Sequence, residues 1–253
     1  MYAEERQQEI LREARASGRV NVVSLAEQFG VTTETIRRDL TVLEGAGVLR
    51  RVHGGAIPVE RLGFEPALAA RDEVMTEEKE RIAKAALAEL PQDGAIIIDA
   101  GTTTGRFAEA IPPDRELTVI VNSPPLATVL AARANVTVYM LGGRVRGRTL
   151  ATVEDWGRQQ LSELHVDVAF MATNGCTVAK GLTTPDPAEA AIKRAMIACA
   201  QRSVLLADHT KFSHNYLTRF ASLSEIDVII TDTQLDLQLA GDVAVAGPEV
   251  VRV

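Results

Sequence analysis

Two pairs of arginines stand close together in the chain, Arg37 with Arg38 and Arg50 with Arg51. A guanidinium is permanently charged, and its planar N–H donors match both phosphate oxygens and the O6 and N7 acceptors of guanine. Threonine hydroxyls around the pairs could contact a phosphate or a thymine methyl group. This pattern indicates a DNA contact surface, with the candidate residues Thr33, Thr35, Arg37, Arg38, Thr41, Arg50, Arg51 and His53.

A second group of polar residues, Asp99-Ala100-Gly101-Thr102-Thr103-Thr104, lies where a predicted strand ends and a predicted helix begins. Gly101 lets a ligand approach the backbone, and the free N–H groups of a helix N-terminus favour a phosphate. Asp99 could accept hydrogen bonds from sugar hydroxyls. The alternative is a well-capped turn. The segment is neither a Walker loop nor a GxGxxG motif, so nucleotide binding is not indicated.

Polar residues also follow three further predicted strands, which end near Val121, Leu141 and Ala207. In a doubly wound sheet such strand ends meet at one crevice. Basic side chains there could neutralise a phosphate, and amide or carboxylate groups could bind sugar hydroxyls. Taken singly, Arg144 is also typical of a solvated surface and Asp208 of a turn. The predicted ligand site comprises Asp99, Gly101, Thr102, Thr103, Thr104, Asn122, Ser123, Gly143, Arg144, Asp208 and Lys211.

Three amphipathic segments must position the first group of residues. Apolar side chains recur at helical spacing in residues 4–16, 22–29 and 33–46. On the third segment, Ile36, Leu40 and Leu43 form the apolar face, which turns Arg38 toward the opposite side. Gly30 is placed to end the second helix and Thr32 to cap the third. We therefore expect three short helices, the last of which exposes an arginine.

A hairpin is predicted after the third helix, and it carries the second arginine pair. Residues 48–52 and 56–58 are β-prone, with a tight turn at His53-Gly54-Gly55 between them. Pro58 lacks an N–H donor, so we expect the second strand to lie at an edge. This order of elements is that of a winged helix-turn-helix, whose last helix enters the major groove. A solvated surface helix is the alternative.

The remainder of the chain predicts a larger domain of alternating strands and helices. Apolar residues are irregularly spaced in residues 60–75, which are therefore predicted to be a linker between domains at 1–59 and 76–253. Strands are expected at 95–99, 117–121, 136–141, 166–171, 204–207 and 227–231, and helices at 104–111, 125–133, 155–164 and 188–200. This alternation is typical of a mostly parallel α/β sheet.

The composition, 46% hydrophobic and 24% charged, excludes collagen-like, disordered and disulfide-scaffold classes. No apolar run approaches the roughly 18 residues of a membrane span, so we expect a cytoplasmic protein with no membrane partner. The net charge of −7 arises outside residues 1–59, which hold eight Arg, no Lys and eight acidic residues. Between residues 35 and 55 the four arginines outweigh Asp39 and Glu44, which leaves a local basic patch. Neither a cofactor nor a metal is expected, and Cys176 and Cys199 are predicted to be buried thiols.

The segment at 31–40, VTTETIRRDL, resembles the DNA-binding signature of DeoR-type bacterial regulators, together with Leu43, GVLRR at 47–51 and VHGGA at 52–56. The rest of the chain resembles the effector domain of that family, which is similar to phosphosugar isomerases. The resemblance covers nearly the whole chain and implies a repressor of sugar-metabolism genes, released from operator DNA by a phosphorylated sugar. The matching motifs are Asp99 to Thr104, Asn122-Ser123, Leu141-Gly142-Gly143, Thr173-Asn174-Gly175, Gly181-Leu182-Thr183-Thr184, Glu189-Ala190, Lys193-Arg194-Ala195-Met196 and Asp208 to Lys211.

Two details of the chain bear on the identity of the effector. The segments MYAEER at 1–6 and GRVNV at 18–22 resemble actinobacterial regulators of sugar-phosphotransferase and fructose genes, which implies fructose 1-phosphate. Val153-Glu154-Asp155-Trp156 departs from the small residues that many members carry at this helix start. These acidic and aromatic side chains could alter the rim of the pocket.

Two other classes of function remain open at this point. Glu189 and Lys193, with Asp99, could act as acid and base in an aldose–ketose isomerisation, which would make the chain a phosphosugar isomerase with an attached DNA-binding domain. An i, i+4 surface ion pair is the commoner use of such a Glu and Lys. A scaffold protein that binds DNA without sequence preference is the third class. Because one small domain makes few base contacts, we expect the protein to bind DNA as a symmetric dimer or tetramer. We do not expect it to be an enzyme.

Overall fold

The computed structural model describes residues 2–17, 19–58, 65 and 67–253. The chain divides into two compact units, Met1–Phe64 and Glu65–Val253. Residues 60–64 and 66 of the predicted linker lie outside the described residues. Glu65 and residues 67–75 belong to the second unit, where they include a short helix.

The first unit contains three helices and a small antiparallel sheet. Its elements are α1 (Ala3–Ser17), β1 (Val20–Asn21), α2 (Val22–Phe29), α3 (Thr33–Gly45), β2 (Leu49–Val52) and β3 (Gly55–Pro58). Gly30, with a φ of 64°, ends α2, and Thr32 Oγ1 accepts the Thr35 N–H at 3.2 Å to begin α3. The core between the helices includes the fully buried side chains Ile10, Leu25, Ile36 and Leu40. The predicted winged helix-turn-helix is confirmed.

One expectation about the hairpin is wrong, because β3 is the middle strand of the order β1-β3-β2 and not an edge strand. β1 pairs only with Gly55 and Ala56, whereas Pro58 lies opposite Leu49 of β2. Pairing with β1 therefore does not depend on the N–H that proline lacks. A strand of two residues has no periodicity that the sequence could reveal.

The second unit is built on a parallel sheet of seven strands, which confirms the predicted α/β class. The strands are β4 (Asp93–Ile98), β5 (Glu116–Val121), β6 (Val136–Met140), β9 (Val166–Met171), β12 (Ala200–Leu206), β14 (Val228–Thr231) and β15 (Glu249–Arg252). Their order is β15-β14-β12-β9-β4-β5-β6. From β4 the chain adds β5 and β6 on one side of the sheet, and from β9 it adds β12, β14 and β15 on the other side. The boundary between β4 and β9 is a topological switch point, where α/β sheets bind ligands.

Helices cover both faces of this sheet. They are α4 (Leu68–Asp72), α5 (Thr76–Ala85), α6 (Thr102–Ala110), α7 (Pro124–Ala131), α8 (Asp155–Ser162), α9 (Pro187–Ala198) and α10 (Leu237–Val245). Successive residues of β4 serve opposite layers, since Ile96 and Ile98 join one apolar core and Ile97 joins the other. Most of these strands contain a run of apolar residues, such as residues 96–98 in β4, because both faces of the sheet are covered, and these runs predict the strand positions closely.

Two small antiparallel sheets lie outside the predicted pattern. One is the hairpin of β7 (Arg144–Val145) with β8 (Thr152–Val153), and the other joins β10 (Gly175–Thr177), β11 (Gly181–Thr184) and β13 (Thr218–Ala221) in the order β10-β11-β13. Strands of two to four residues are too short for a recognisable period. The helices α5 and α10 and the strand β15 are also absent from the elements predicted from the sequence.

Cys176 and Cys199 are free and buried, as predicted, and burial raises the pKa of the Cys176 thiol to about 12. Among the described residues, no group of His, Cys, Asp and Glu side chains is arranged to hold a metal ion. Within the same residues, no helix has the length and apolar character needed to cross a membrane.

Candidate nucleic-acid interface and effector site

Helix α3 buries one face and exposes the other. Ile36, Leu40 and Leu43 pack into the first unit, as the spacing predicted. Thr33 and Thr35 at the start of the helix are half-buried. The exposed side chains are Glu34, Arg37, Arg38, Thr41, Val42 and Glu44. The candidate base-reading arginine, Arg38, is therefore accessible on a helix that is fixed from behind.

Asp39 anchors α3 to α1. Its carboxylate accepts hydrogen bonds from Arg6 Nε at 2.6 Å and from Gln7 Nε2 at 2.9 Å, and both members of the ion pair are buried. Arg6 therefore neutralises Asp39 inside the unit. The exposed acidic residues that offset the basic patch are instead Glu34, which pairs with Arg37 at 3.4 Å, and Glu44.

The hairpin places the second arginine pair beside α3. Arg51 Nη1 donates to Thr41 Oγ1 at 3.3 Å, and the Arg51 N–H donates to Glu44 Oε1 at 3.0 Å. Arg50 and His53 are exposed on the same hairpin. Arg37, Arg38, Thr41 and Arg51 line one shallow surface hollow together with Glu34 and Val42. The structure thus brings together residues that the sequence separates by a turn and a strand.

Sequence reasoning missed one basic residue at this surface. Arg19 Nη2 donates to the carbonyl of His53 at 3.1 Å, and Arg19 is exposed. The pairing of β1 with β3 brings Arg19 to the hairpin turn. Arg19 could have been predicted at this surface only if the short strand β1 had been recognised in the sequence.

In the second unit, Asp99 is the centre of a buried polar cluster at the switch point. Its Oδ2 atom accepts the Ala172 N–H at 3.0 Å and contacts Lys193 Nζ, and its Oδ1 atom accepts Asn122 Nδ2 at 3.4 Å. Lys193 Nζ also donates to the carbonyl of Ala172 at 3.0 Å. The side chains of Asp99 and Lys193 are only 1% and 3% exposed. The cluster therefore joins the ends of β4, β5 and β9 to α9.

The threonines after Asp99 form the first turn of α6. Thr102, Thr103 and Thr104 are all buried, and Thr104 Oγ1 has no hydrogen-bond partner among the described residues. A Cβ at Gly101 would lie 2.8 Å from both Ala172 Cβ and Thr104 Oγ1. The packing of the protein itself therefore requires glycine here, in addition to any closeness to a ligand.

Asn122 and Ser123 end β5 in different ways. Asn122 Oδ1 accepts the Ala100 N–H at 2.7 Å, so this amide fixes the neighbouring strand end. Ser123 is buried at the N-cap position of α7. Both residues lie where the sequence placed them, and Asn122 contacts the protein through both ends of its amide.

Asp208 and Lys211 form a second polar cluster after β12. Asp208 Oδ1 accepts the Thr210 N–H at 3.0 Å, and Lys211 Nζ lies 3.7 Å from Asp208 Oδ2. Burial opposes ionisation of Asp208, but Lys211, Thr210 and Lys79 together lower its pKa. Burial also lowers the pKa of Lys79 to about 8. Lys79, which is not among the predicted site residues, adds a third charge to this cluster.

Gly143 and Arg144 lie on the β7–β8 hairpin. Gly143 has a φ of 141°, and a Cβ there would meet the Val153 carbonyl oxygen at 2.2 Å, so the hairpin itself requires glycine. Arg144 Nε pairs with Glu154 Oε1 at 2.5 Å, with both side chains half-exposed. Glu154 and the exposed Trp156 are the residues that depart from the family pattern. The acidic residue thus neutralises the arginine predicted to bind phosphate.

Glu189 and Lys193 are not a surface pair, and that interpretation is wrong. Both are buried, and each has a partner elsewhere: Lys193 contacts Asp99, and Glu189 Oε2 accepts Arg146 Nη1 at 2.5 Å. Burial raises the pKa of Glu189, although Lys193 and Arg146 act in the opposite direction. Helical spacing alone places two residues on one face without saying whether that face is exposed.

An exposed arginine-bearing helix in one unit and a buried polar cluster at a switch point in the other define a DNA-binding regulator with a separate sensor domain. Residues 6–61 match the model of the DeoR-like helix-turn-helix domain, and residues 74–233 match that of the DeoR C terminal sensor domain. The chain belongs to the DeoR family of transcriptional regulators.

Relatives align along almost the full length of the chain. The HTH-type transcriptional regulator GlpR of Haloferax volcanii is 38% identical over 99% of this chain and 98% of its own. The uncharacterized HTH-type transcriptional regulator FruR of Bacillus subtilis is 32% identical over 92% and 93%. The putative aga operon transcriptional repressor of Escherichia coli O157:H7 is 31% identical over 98% and 93%.

Proposed function

We propose that the protein represses genes of sugar metabolism and leaves its operator when a phosphorylated sugar binds the second unit, with fructose 1-phosphate as the effector. The observation that carries this proposal is the polar cluster around Asp99, which lies at the switch point beside the threonine turn of α6. A phosphate at the start of α6 would meet free N–H groups and the positive end of the helix dipole. The names of relatives, among them a putative aga operon repressor and a FruR, support the sugar-related role.

The chemistry of the donor groups supports a sugar phosphate over an uncharged sugar. Buried Thr104 Oγ1 and Asp208 Oδ2 have no hydrogen-bond partner among the described residues. A phosphate oxygen of a ligand could accept a hydrogen bond from the Thr104 hydroxyl, and a sugar hydroxyl could donate one to the Asp208 carboxylate. Lys211 and Lys79 carry the positive charge that a phosphate requires. Our candidate effector contacts are Asp99, Gly101, Thr102, Thr103, Thr104, Asn122, Ser123, Gly143, Arg144, Asp208 and Lys211.

For DNA, we propose that Arg38 reads base edges and that Arg50 and Arg51 contact phosphates, with Arg37, Thr33, Thr35, Thr41 and His53 around them. Exposure of Arg38 opposite a buried anchor supports this role, since a base-reading side chain must be both accessible and fixed. We propose a dimer or tetramer as the binding form, because two half-sites supply more base contacts than one.

A titration of operator release tests the effector. The full-length protein would first select its operator from random-sequence DNA, and release would then be followed by fluorescence anisotropy. We expect release by fructose 1-phosphate at lower concentration than by fructose 6-phosphate or glycerol 3-phosphate, and none by free fructose. Equal release by free fructose would contradict the anion site.

The second candidate function is isomerisation of a phosphosugar. The contact of Lys193 with Asp99, next to buried Glu189, is the observation that favours it, since an acid and a base lie side by side. Incubation with phosphosugars and detection of the isomerised product would decide between the two. Absence of turnover, with effector-dependent release intact, is the result that we expect.

A further inference from the structure

Glu65 is the first residue of the second unit, and its side chain is 1% exposed. Its carboxylate accepts Arg146 Nη1 at 3.0 Å, Arg71 Nη1 at 3.1 Å and Asn174 Nδ2 at 2.7 Å. Arg148 Nη1 also donates to the Glu65 carbonyl at 2.6 Å. A buried carboxylate is tolerated only with such partners. The point at which the chain enters the second unit is therefore held by four donors.

Arg146 connects this anchor with α9. Its Nη1 atom also donates to Glu189 Oε2 at 2.5 Å, and its Nε atom lies 3.2 Å from Asp186 Oδ2. Glu189 lies one helical turn before Lys193, which contacts Asp99. Charged side chains thus form a series from the start of the second unit to the cluster at the switch point, in which Glu65, Arg146 and Glu189 are joined by ion pairs and Lys193 is paired with Asp99. Glu189 and Lys193, one turn apart on α9, interact electrostatically.

A second anchor holds the far end of the same segment. Lys79 is buried, and its Nζ atom donates to the carbonyls of Arg71 and Val74, the latter at 2.5 Å. Lys79 also interacts electrostatically with Asp208 and Lys211. Residues 65–75 are therefore tied at both ends to side chains that adjoin the proposed effector contacts.

The charges along the series make it responsive to a ligand. A phosphate or sugar hydroxyl near Asp99 would compete for the N–H donors of Lys193, which are now shared between Asp99 and the Ala172 carbonyl. Glu189 would then depend more on Arg146, and Arg146 divides its donors between Glu189 and Glu65. Buried ion pairs favour discrete arrangements over gradual ones, because an unpaired buried charge is costly.

We propose that Glu65 and Arg146 couple effector binding to the segment that leads to the DNA-binding unit. This inference rests on the proposed function, since it specifies how a ligand at Asp99 would regulate DNA release. In it, Glu65 and Arg146 are positioning residues that do not touch the effector. Loss of their interaction separates the two binding events without abolishing either.

The test uses the full-length protein and the variant Glu65→Gln, which keeps the size of the side chain and removes its charge. We measure operator Kd with and without saturating fructose 1-phosphate, and fructose 1-phosphate binding by thermal shift. Allosteric factors are typically about 5- to 150-fold. We expect fructose 1-phosphate to raise the operator Kd of the wild type by a factor in that range, and that of Glu65→Gln by less than about 2-fold. The affinities of Glu65→Gln for operator alone and for fructose 1-phosphate alone should lie within about 3-fold of the wild-type values.

Glu89→Gln is the matched control, because Glu89 pairs with Arg202 at 2.8 Å in the same unit, away from the series. In this variant fructose 1-phosphate should change the operator Kd as much as it does in the wild type. If Glu65→Gln changed its operator Kd on addition of fructose 1-phosphate as much as the wild type does, the coupling role would be overturned. If no sugar phosphate released the wild-type protein from its operator, the proposed function itself would be overturned.

A second measurement on the wild type decides the matter even if Glu65→Gln does not fold. Fructose 1-phosphate should change amide hydrogen exchange in residues 67–75 by at least about 10-fold, and leave β15 unchanged. Exchange in residues 67–75 that is identical with and without the bound ligand would overturn the proposal.

Discussion

The two units use charge in opposite ways. In the first unit the arginines proposed to contact DNA are exposed, and a buried ion pair of Arg6 with Asp39 fixes the helix that carries Arg37 and Arg38. In the second unit most candidate functional groups are themselves buried, and the cluster at the switch point is hydrogen-bonded internally, as Asp99 is to Lys193. A surface that meets a large charged partner needs accessible side chains on a rigid support. A site for a small ligand needs donors and acceptors arranged out of water.

Removal of one partner from a buried pair should produce the largest effect and tests the comparison directly. We expect Lys193→Met to lower the free energy of unfolding by about 3–5 kcal/mol, because Asp99 would be left buried without a counter-ion. Arg158→Met, which removes the partner of exposed Asp155, should cost less than about 1 kcal/mol. Urea denaturation of both variants measures the difference.

The double variant Lys193→Met with Asp99→Asn separates charge from packing. If the uncompensated carboxylate causes the loss, the double variant should recover much of the stability. A double variant as unstable as Lys193→Met would mean that packing, and not charge, dominates at this cluster.

Lys79 should give the sensor unit a pH dependence of stability. Its pKa in the folded protein, about 8, is below the ordinary 10.5 because of burial, so the unfolded chain binds more protons between these values. The contribution of Lys79 to stability is therefore present above pH 10.5 and is lost as the pH falls through 8. Relative to Lys79→Met, wild type should gain about 2–3 kcal/mol from pH 7 to pH 10.

The measurement is urea denaturation of wild type and Lys79→Met across that range. Because both proteins share every other titrating group, the difference between them isolates Lys79. A difference that stays constant with pH would contradict a buried, hard-to-charge lysine.

A change of charge in the threonine turn should uncouple the two units in function. Thr103→Glu places a carboxylate where we expect the phosphate, so we predict loss of effector response with operator binding intact. The response that would be lost corresponds to about 1–3 kcal/mol of coupling. Operator anisotropy with fructose 1-phosphate measures it, and Thr103→Ser serves as a control that keeps the hydroxyl. Normal release by Thr103→Glu would mean that the turn is only a helix cap.

The same contrast between the units explains what the sequence could predict. The exposed face of α3 follows from local periodicity, since Ile36, Leu40 and Leu43 at helical spacing leave Arg38 outside. The carboxyl ends of most strands in the sensor domain also follow, because apolar runs such as residues 96–98 of β4 and 168–171 of β9 end there. The 1–59, 60–75 and 76–253 boundaries stay a prediction, as does the likeness to phosphosugar isomerases.

The polar connections could not be predicted, because each joins distant parts of the chain. Lys193 reaches Asp99 across 94 positions, and Asn174 reaches Glu65 across 109. Helical spacing suggested a surface pair for Glu189 and Lys193, whereas tertiary packing buries both. Short strands such as β1 were likewise missed, and with β1 the position of Arg19. Pairing over long separations leaves no periodic trace in sequence.

The smallest of the expected effects distinguishes two roles within the first unit. Arg38→Ala should cost about 1–3 kcal/mol on the selected operator and much less on random DNA, because a bidentate contact to a base edge exists only at the correct site. Arg51→Ala should weaken both kinds of DNA alike, since a phosphate is present in every sequence, and should lower the salt dependence of binding by about one unit of slope. Anisotropy titrations of both variants against both DNAs, at several salt concentrations, measure this. Equal losses on the two DNAs for Arg38→Ala would exclude base reading by Arg38, and would assign the exposed face of α3 to phosphate contacts alone.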